Sequence, residues 1–263
     1  MSNLASRRRA IRRALVVAAS AAVCLGSVEA RARAASTCPA TAPSAFAENG
    51  AESPLAPPSD GRPLRILAIG SSSTLGVGAS SPDAAYPAQL EARLSDDWGV
   101  SADVVNAGVG GETSDTTLKR LVAALAGAPP DLVVWQVGTN DAVGGVDPEA
   151  FRANLTTGVA AAQARRVPIV LVDPQFYFGI KNLARFQQYV TIIADVGAAK
   201  HVPVFSRFAM MKAWAAKSTA TLRAALAPDG FHMDDEGYAC FARALAGDLA
   251  REEDWADQPA EKL

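Results

Sequence analysis

Residues 64–74 read Leu-Arg-Ile-Leu-Ala-Ile-Gly-Ser-Ser-Ser-Thr. An apolar run of strand length passes directly into a turn of small hydroxyl residues. An open α/β sheet places its chemistry just beyond the carboxyl ends of its strands. The Gly70–Thr74 turn is therefore expected at such an end. Three later segments read the same way: Asn106–Glu112, Gly138–Asp141 and Asp229–His232.

Around these segments strands and helices alternate. Apolar runs suited to strands cover 64–70, 102–106, 131–137, 167–173 and 202–205. Stretches suited to helices cover 84–97, 115–127, 148–165, 181–200, 217–227 and 236–251. The run Asp131-Leu-Val-Val-Trp-Gln-Val137 is almost continuously apolar, as a strand covered on both faces requires. Asp147 before Pro148 is a good helix cap followed by a residue suited to the first turn. The alternation predicts an α/β fold of three layers, α/β/α, with a five-stranded parallel sheet. No internal repeat or second domain is expected.

The chain has 263 residues, 49% hydrophobic and 20% charged, which suits one globular domain with a real core. Its formal charge is −2, unevenly spread. Residues 1–34 hold seven Arg, no Lys and one acid, leaving 18 basic and 26 acidic residues, about −8, for the rest. That acidic body argues against nucleic acid or an anionic membrane as partner. Arg7–Arg9 and Arg12-Arg13 precede the apolar stretch Ala14–Val28, and Ala32-Arg33-Ala34 has the form of a cleavage site. Residues 1–34 therefore read as a signal peptide, by the general or the twin-arginine route, with export to the periplasm or beyond. An uncleaved anchor is the alternative. After signal removal no stable membrane insertion is expected. Residues 35–63, rich in Ala, Pro and Ser, read as a linker or draped arm, and the folded domain is expected over 64–255. Cys38 and Cys240 then remain, either as a disulfide tying the arm to the last helix or as two thiols.

A serine hydroxyl needs a base to become a nucleophile. The chain has two histidines. His201, just before strand 202–205, falls at the sheet edge away from the strand ends and reads as a connector. His232 lies in a loop, with Asp229 three residues earlier. That spacing lets one turn bring a carboxylate to the imidazole Nδ1–H, fixing tautomer and orientation. A metal site from Asp229, His232, Asp234 and Asp235 is the alternative, but no further His or Cys lies nearby to complete it. Neither metal nor cofactor is expected. Acyl transfer also needs hydrogen-bond donors for an oxyanion. The Ser72 N–H, an N–H of the Gly108–Gly111 loop and the Asn140 amide are available. Asn140-Asp141 also reads as a helix cap. The turn is not G-x-S-x-G, no Gly-Lys-Ser/Thr phosphate loop is present, and the Gly108–Gly111 spacing is wrong for a dinucleotide fingerprint.

These four blocks resemble those of the SGNH (GDSL-type) hydrolases, over roughly 64–250. Gly70–Thr74 is similar to the family's G-D-S-x-T/S and makes Ser72 the nucleophile. Asn106–Glu112 is similar to the start of N-x-x-x-x-G-x-T and carries the oxyanion glycine onto Gly111. Gly138–Asp141 matches G-x-N-D, with Asn140 as the third donor. Asp229–His232 matches D-x-x-H. Tyr86-Pro87 resembles the aromatic–Pro pair of the thioesterase/lysophospholipase branch. The resemblance implies a flavodoxin-like sheet and a serine esterase. Its substrate would be a small-molecule or glycan acyl ester, with a thioester or lysophospholipid as alternatives. A non-catalytic binding module gives no reason for the full set. The chain departs from the pattern at Ser71, where the family has Asp, which puts the bracing of the turn in question. In loop 174–180, Phe176, Tyr177 and Phe178 are expected either to line an acyl pocket or to pack as ordinary core. Oligomeric state is not legible.

Overall fold

The computed structural model describes Cys38, Pro39, Leu55 and residues 58–250. The expected signal at 1–34, most of the arm at 35–63 and the last residues of the expected 64–255 domain lie outside the described residues.

Five strands form one all-parallel sheet: β1 Leu64–Gly70, β2 Ala102–Gly108, β3 Leu132–Gln136, β4 Ile169–Val172 and β5 Val204–Phe205. Their order is β2-β1-β3-β4-β5. Helices among the described residues are α1 Ser72–Leu75, α2 Tyr86–Trp98, α3 Ser114–Ala126, α4 Thr139–Gly144, α5 Pro148–Ala164, α6 Leu183–Lys200, α7 Arg207–Lys217, α8 Thr219–Arg223 and α9 Asp235–Leu249. Register runs from Leu64 opposite Ala102 to Gly70 opposite Gly108, and Ile66 pairs with Leu132 on the other side of β1.

Side chains alternate across a strand, so each central strand feeds two cores. Ile66, Ala68, Leu132 and Val134 face α2, α7 and α9, represented by Leu90, Trp214 and Phe241. Ile69, Val133 and Trp135 face α3, α5 and α6, represented by Leu121, Phe151 and Ile193. All five residues of β3 are buried, as its apolar run predicts. Each such aliphatic or aromatic side chain contributes about 1.5–3 kcal/mol relative to exposure. The result is the expected α/β/α layering.

The expected helix at 217–227 is corrected. Helix α7 begins ten residues earlier and stops at Ser218, whose backbone is extended and whose side chain accepts the Thr221 N–H to start α8. Beyond α8 the chain turns into a loop closed by an antiparallel bridge between Leu226 and Met233. That bridge carries Asp229–His232 toward the carboxyl end of the sheet.

In the 2-1-3-4-5 order, chain direction across the sheet reverses between β1 and its two neighbours. This is where such sheets open a crevice. Ser72 follows β1, Gly111 follows β2 and Asn140 follows β3, so three adjacent strand ends supply three adjacent loops.

Candidate active site

The turn after β1 separates its three serines. Ser71 and Ser73 are buried and Ser72 is half-buried. Ser71 donates its backbone N–H (3.1 Å) and its hydroxyl (3.2 Å) to Gln136 Oε1 at the end of β3. Thr74 Oγ1 donates to the same oxygen at 3.1 Å and lies 3.3 Å from the Tyr86 hydroxyl. Ser73 Oγ donates to Gln175 Oε1 at 3.4 Å. Only Ser72 turns outward, with its Oγ 2.9 Å from His232 Nε2. Burial pushes the Tyr86 phenol up to about 12, against the hydrogen bond with Thr74, so it stays neutral beneath the turn.

His232 Nδ1 lies 2.6 Å from Asp229 Oδ2. The other carboxylate oxygen accepts the backbone N–H groups of Phe231 and His232, each at 2.9 Å. Partial burial pushes the Asp229 carboxyl up. The His232 ring and these two N–H groups outweigh it and hold the group below the ordinary carboxylate value. The Asp229 carboxylate is thus charged and fixed by the same turn that carries His232.

The loop after α1 is stitched to the first turn of α9, just beyond the histidine loop. Tyr238 donates its hydroxyl to Val77 O at 2.7 Å. Ser80 donates its N–H (2.7 Å) and hydroxyl (2.5 Å) to the Asp235 carboxylate, which holds that acid below its ordinary value. Between them Gly78, at φ +97°, lies so close to Met233 that a Cβ would sit 2.3 Å from its carbonyl oxygen. Only glycine fits there. These contacts hold residues 77–80 against the segment that follows His232.

Three oxyanion donors were expected. Among the described residues nothing accepts the Ser72 N–H, at the first position of α1 where no helical carbonyl reaches. Gly111 is exposed at φ +80°, with open space where a side chain would project. Asn140 Nδ2 donates to Glu112 O at 2.7 Å, which orients the amide and leaves its second N–H for a ligand. The neighbouring Asp141 is the cap that the motif also suggested. Its buried carboxylate accepts the Ser114 N–H (3.0 Å) and hydroxyl (2.6 Å) at the start of α3. Burial raises its pKa despite those bonds.

Asp234 accepts the Gly237 N–H as the cap of α9, and Asp235 is occupied by Ser80. These two acids of the alternative metal set serve structure instead. His201 is exposed in the left-handed region at the end of α6, where it caps the helix.

A polar layer lies under the turn that no local motif announces. Arg207 and Asp173 are fully buried. Arg207 donates to Gln175 Oε1 at 2.9 Å, and Thr139 Oγ1 donates to the same oxygen at 3.0 Å. Asp173 accepts from Ser206 Oγ (2.6 Å) and the Phe208 N–H (2.7 Å), and burial pushes its carboxyl up to about 7. None of Gln136, Gln175 and Arg207 is among the candidates named from the sequence; only Gln136, a polar side chain closing an apolar strand, carries even a weak local signal.

The three aromatics of loop 174–180 divide. Phe176 packs edge-on against Phe208 and joins the core. Tyr177 meets Phe231 edge-on at 4.7 Å, and Phe231 meets the His232 ring at 4.7 Å. Phe178 is 47% exposed beneath the Arg223 guanidinium. Cys38 and Cys240 form a disulfide with Cα atoms 5.3 Å apart.

A parallel sheet of this order, with Ser, Gly, Asn and His on four loops at one end, defines an SGNH-type hydrolase. Residues 38–253 match the non-GDSL lipase-like family. The chain belongs to that family and is a carboxylic ester hydrolase. It is 31% identical to the esterase TesA of Pseudomonas aeruginosa over 142 residues, 53% of this chain and 70% of that protein. Among solved structures it resembles AlinE4, an SGNH-hydrolase family esterase, at 27% identity and a TM-score of 0.52, covering 61% of this chain and 83% of the other. The lipase/acylhydrolase from Enterococcus faecalis shares the fold at a TM-score of 0.62 and 24% identity, over 71% of this chain and 95% of that one.

Proposed function

We propose that the chain hydrolyses acyl esters through an acyl-enzyme on Ser72. The observation that carries this reading is the continuous line Ser72 Oγ, His232 Nε2, His232 Nδ1, Asp229 Oδ2, with gaps of 2.9 and 2.6 Å. His232 takes the hydroxyl proton as Ser72 Oγ attacks the ester carbonyl carbon. The tetrahedral oxyanion receives hydrogen bonds from the N–H groups of Ser72 and Gly111 and from Asn140 Nδ2. The C–O bond to the alcohol then breaks, and His232 gives its proton to the departing oxygen. Water repeats the sequence in reverse: His232 deprotonates it, it attacks the acyl carbon, and the carboxylic acid leaves with Ser72 restored. Asp229 orients the imidazole and stabilises the imidazolium.

The substrate is an ester with an apolar acyl or aryl group. Tyr177 packs against Phe231 of the histidine loop, Phe178 is exposed on the same 174–180 loop, and exposed Val109 and Val143 flank Gly111 and Asn140 in sequence. Export of the chain follows from the Arg-rich, apolar leader and agrees with a disulfide, which persists in oxidising compartments.

A fluorophosphonate probe followed by peptide mapping tests the nucleophile. Label on Ser72 is expected, and label on Ser71 or Ser73, or none, would overturn the assignment. A panel of aryl and alkyl esters graded in acyl length, set beside acetylated glycans, tests the substrate. Faster turnover of the apolar esters is expected, and preference for the glycans would make the chain a carbohydrate O-acetylesterase.

A further inference from the structure

Arg120, on α3, reaches back to the carboxyl end of the sheet, where it takes part in none of the steps above. Its Nη1 donates to Ala107 O at 2.8 Å, near the end of β2. Its Nη2 donates to Gly70 O at 3.2 Å, at the end of β1 and two residues before Ser72. Nε and Nη2 together hold the Glu112 carboxylate, with Nε at 3.0 and 2.9 Å from its two oxygens. Glu112 follows Gly111 directly, and its own carbonyl is the acceptor that orients Asn140 Nδ2. Gly70 O also accepts the Val109 N–H at 3.0 Å, which closes the glycine loop onto β1. The supports of all three expected oxyanion donors therefore meet at one half-buried guanidinium.

We infer that Arg120 is the positioning residue of the oxyanion site, clamping the Ser72 turn, the Gly111 loop and Asn140 in one register. The inference rests on the serine mechanism proposed above. The chemistry suits arginine alone. A planar fork with five N–H donors bonds two strand-end carbonyls and a carboxylate at once, whereas lysine offers a single point charge. A displacement of about 1 Å among such donors costs on the order of 100-fold in rate. The clamp thus acts on the transition state, where the oxyanion exists, more than on ester binding.

The test is steady-state kinetics of Arg120→Lys and Glu112→Gln with an activated acyl ester, beside thermal unfolding and a Ser72→Ala control. For Arg120→Lys, kcat is expected to fall about 10- to 100-fold with KM within about twofold. Partial recovery of kcat in Arg120→Ala by millimolar guanidinium, with Tm unchanged by the guanidinium, is also expected. Glu112→Gln, which keeps the shape and removes the charge, is expected to show a smaller fall of the same kind and covers the case of a poorly folded Arg120 variant. Folded Arg120→Lys and Glu112→Gln with wild-type kcat would overturn the inference, as would losses that track the unfolded fraction. Full activity in Ser72→Ala would instead overturn the serine mechanism itself.

Discussion

Ser71 directs both its backbone N–H and its hydroxyl at a single atom, Gln136 Oε1, at 3.1 and 3.2 Å. This is the position where the wider family pattern has Asp. A neutral hydroxyl and a neutral amide on the adjacent strand here brace the turn that carries Ser72.

Ser71→Asp does not restore the family pattern; it breaks this one. A carboxylate would meet the amide oxygen acceptor to acceptor. Flipping the Gln136 amide would relieve that clash but strip the acceptor from the residue 71 N–H and from Thr74. Leaving a buried polar group unpaired costs about 1–3 kcal/mol. Thermal unfolding is expected to show a lower Tm for Ser71→Asp. An unchanged or higher Tm would contradict the bracing role of Gln136.

Asp229→Asn preserves size but not charge, and with it the imidazole loses its tautomer lock. Turnover is expected to fall about 1000- to 10,000-fold. The pH profile carries a further consequence. Because Asp229 is held below the ordinary carboxylate value, it remains charged until the pH falls below that range. The stability it contributes is present above the unfolded value of 3.8 and is lost as pH drops through the lower folded value. Asp229 then adds no inflection to the acid limb of kcat/KM at about pH 4–5. An inflection in that window that disappears in Asp229→Asn would show that Asp229 titrates there.

The Cys38–Cys240 bond spans 202 positions. Closing a loop of that size removes denatured-state entropy worth about 5 kcal/mol at most. The Cys38→Ala, Cys240→Ala double variant is expected to lose about 5–15 °C in Tm. Scanning calorimetry of oxidised wild type against this variant reads the difference directly. Equal Tm values would mean that the bond adds no stability.

Most of the sheet could be read from the chain because its signals are local. The run in β1 is apolar except for Arg65 and that in β3 except for its last residue, Gln136, and buried parallel strands look like that. Helix α7 could not be read this way. Ser206 accepts the Ala209 N–H locally, but the carboxylate that receives the Phe208 N–H is Asp173, on another strand's loop. The expected helix at 217–227 failed for a related reason. Its alanines favour helix, but the chain there must bend to place Asp229 and His232, and the Leu226–Met233 bridge overrides local preference.

The site divides along the same line. Ser72, Gly111, Asn140, Asp229 and His232 each sit in a short motif, so they can be named as candidates from the chain alone. Gln136, Gln175, Arg207 and Arg120 act only through strand ends brought together by the 2-1-3-4-5 order. Their partners are 8 to 102 residues away in sequence, beyond the reach of any short pattern.

Everything proposed for the reaction depends on Ser72 Oγ forming the bond to the acyl carbon. The decisive measurement is turnover of an activated acyl ester by purified Ser72→Ala, checked by thermal unfolding to be folded. The expected result is a loss of at least about 1000-fold in kcat with an unaltered unfolding transition. Turnover within a few fold of wild type would contradict the serine mechanism and return the site to open question.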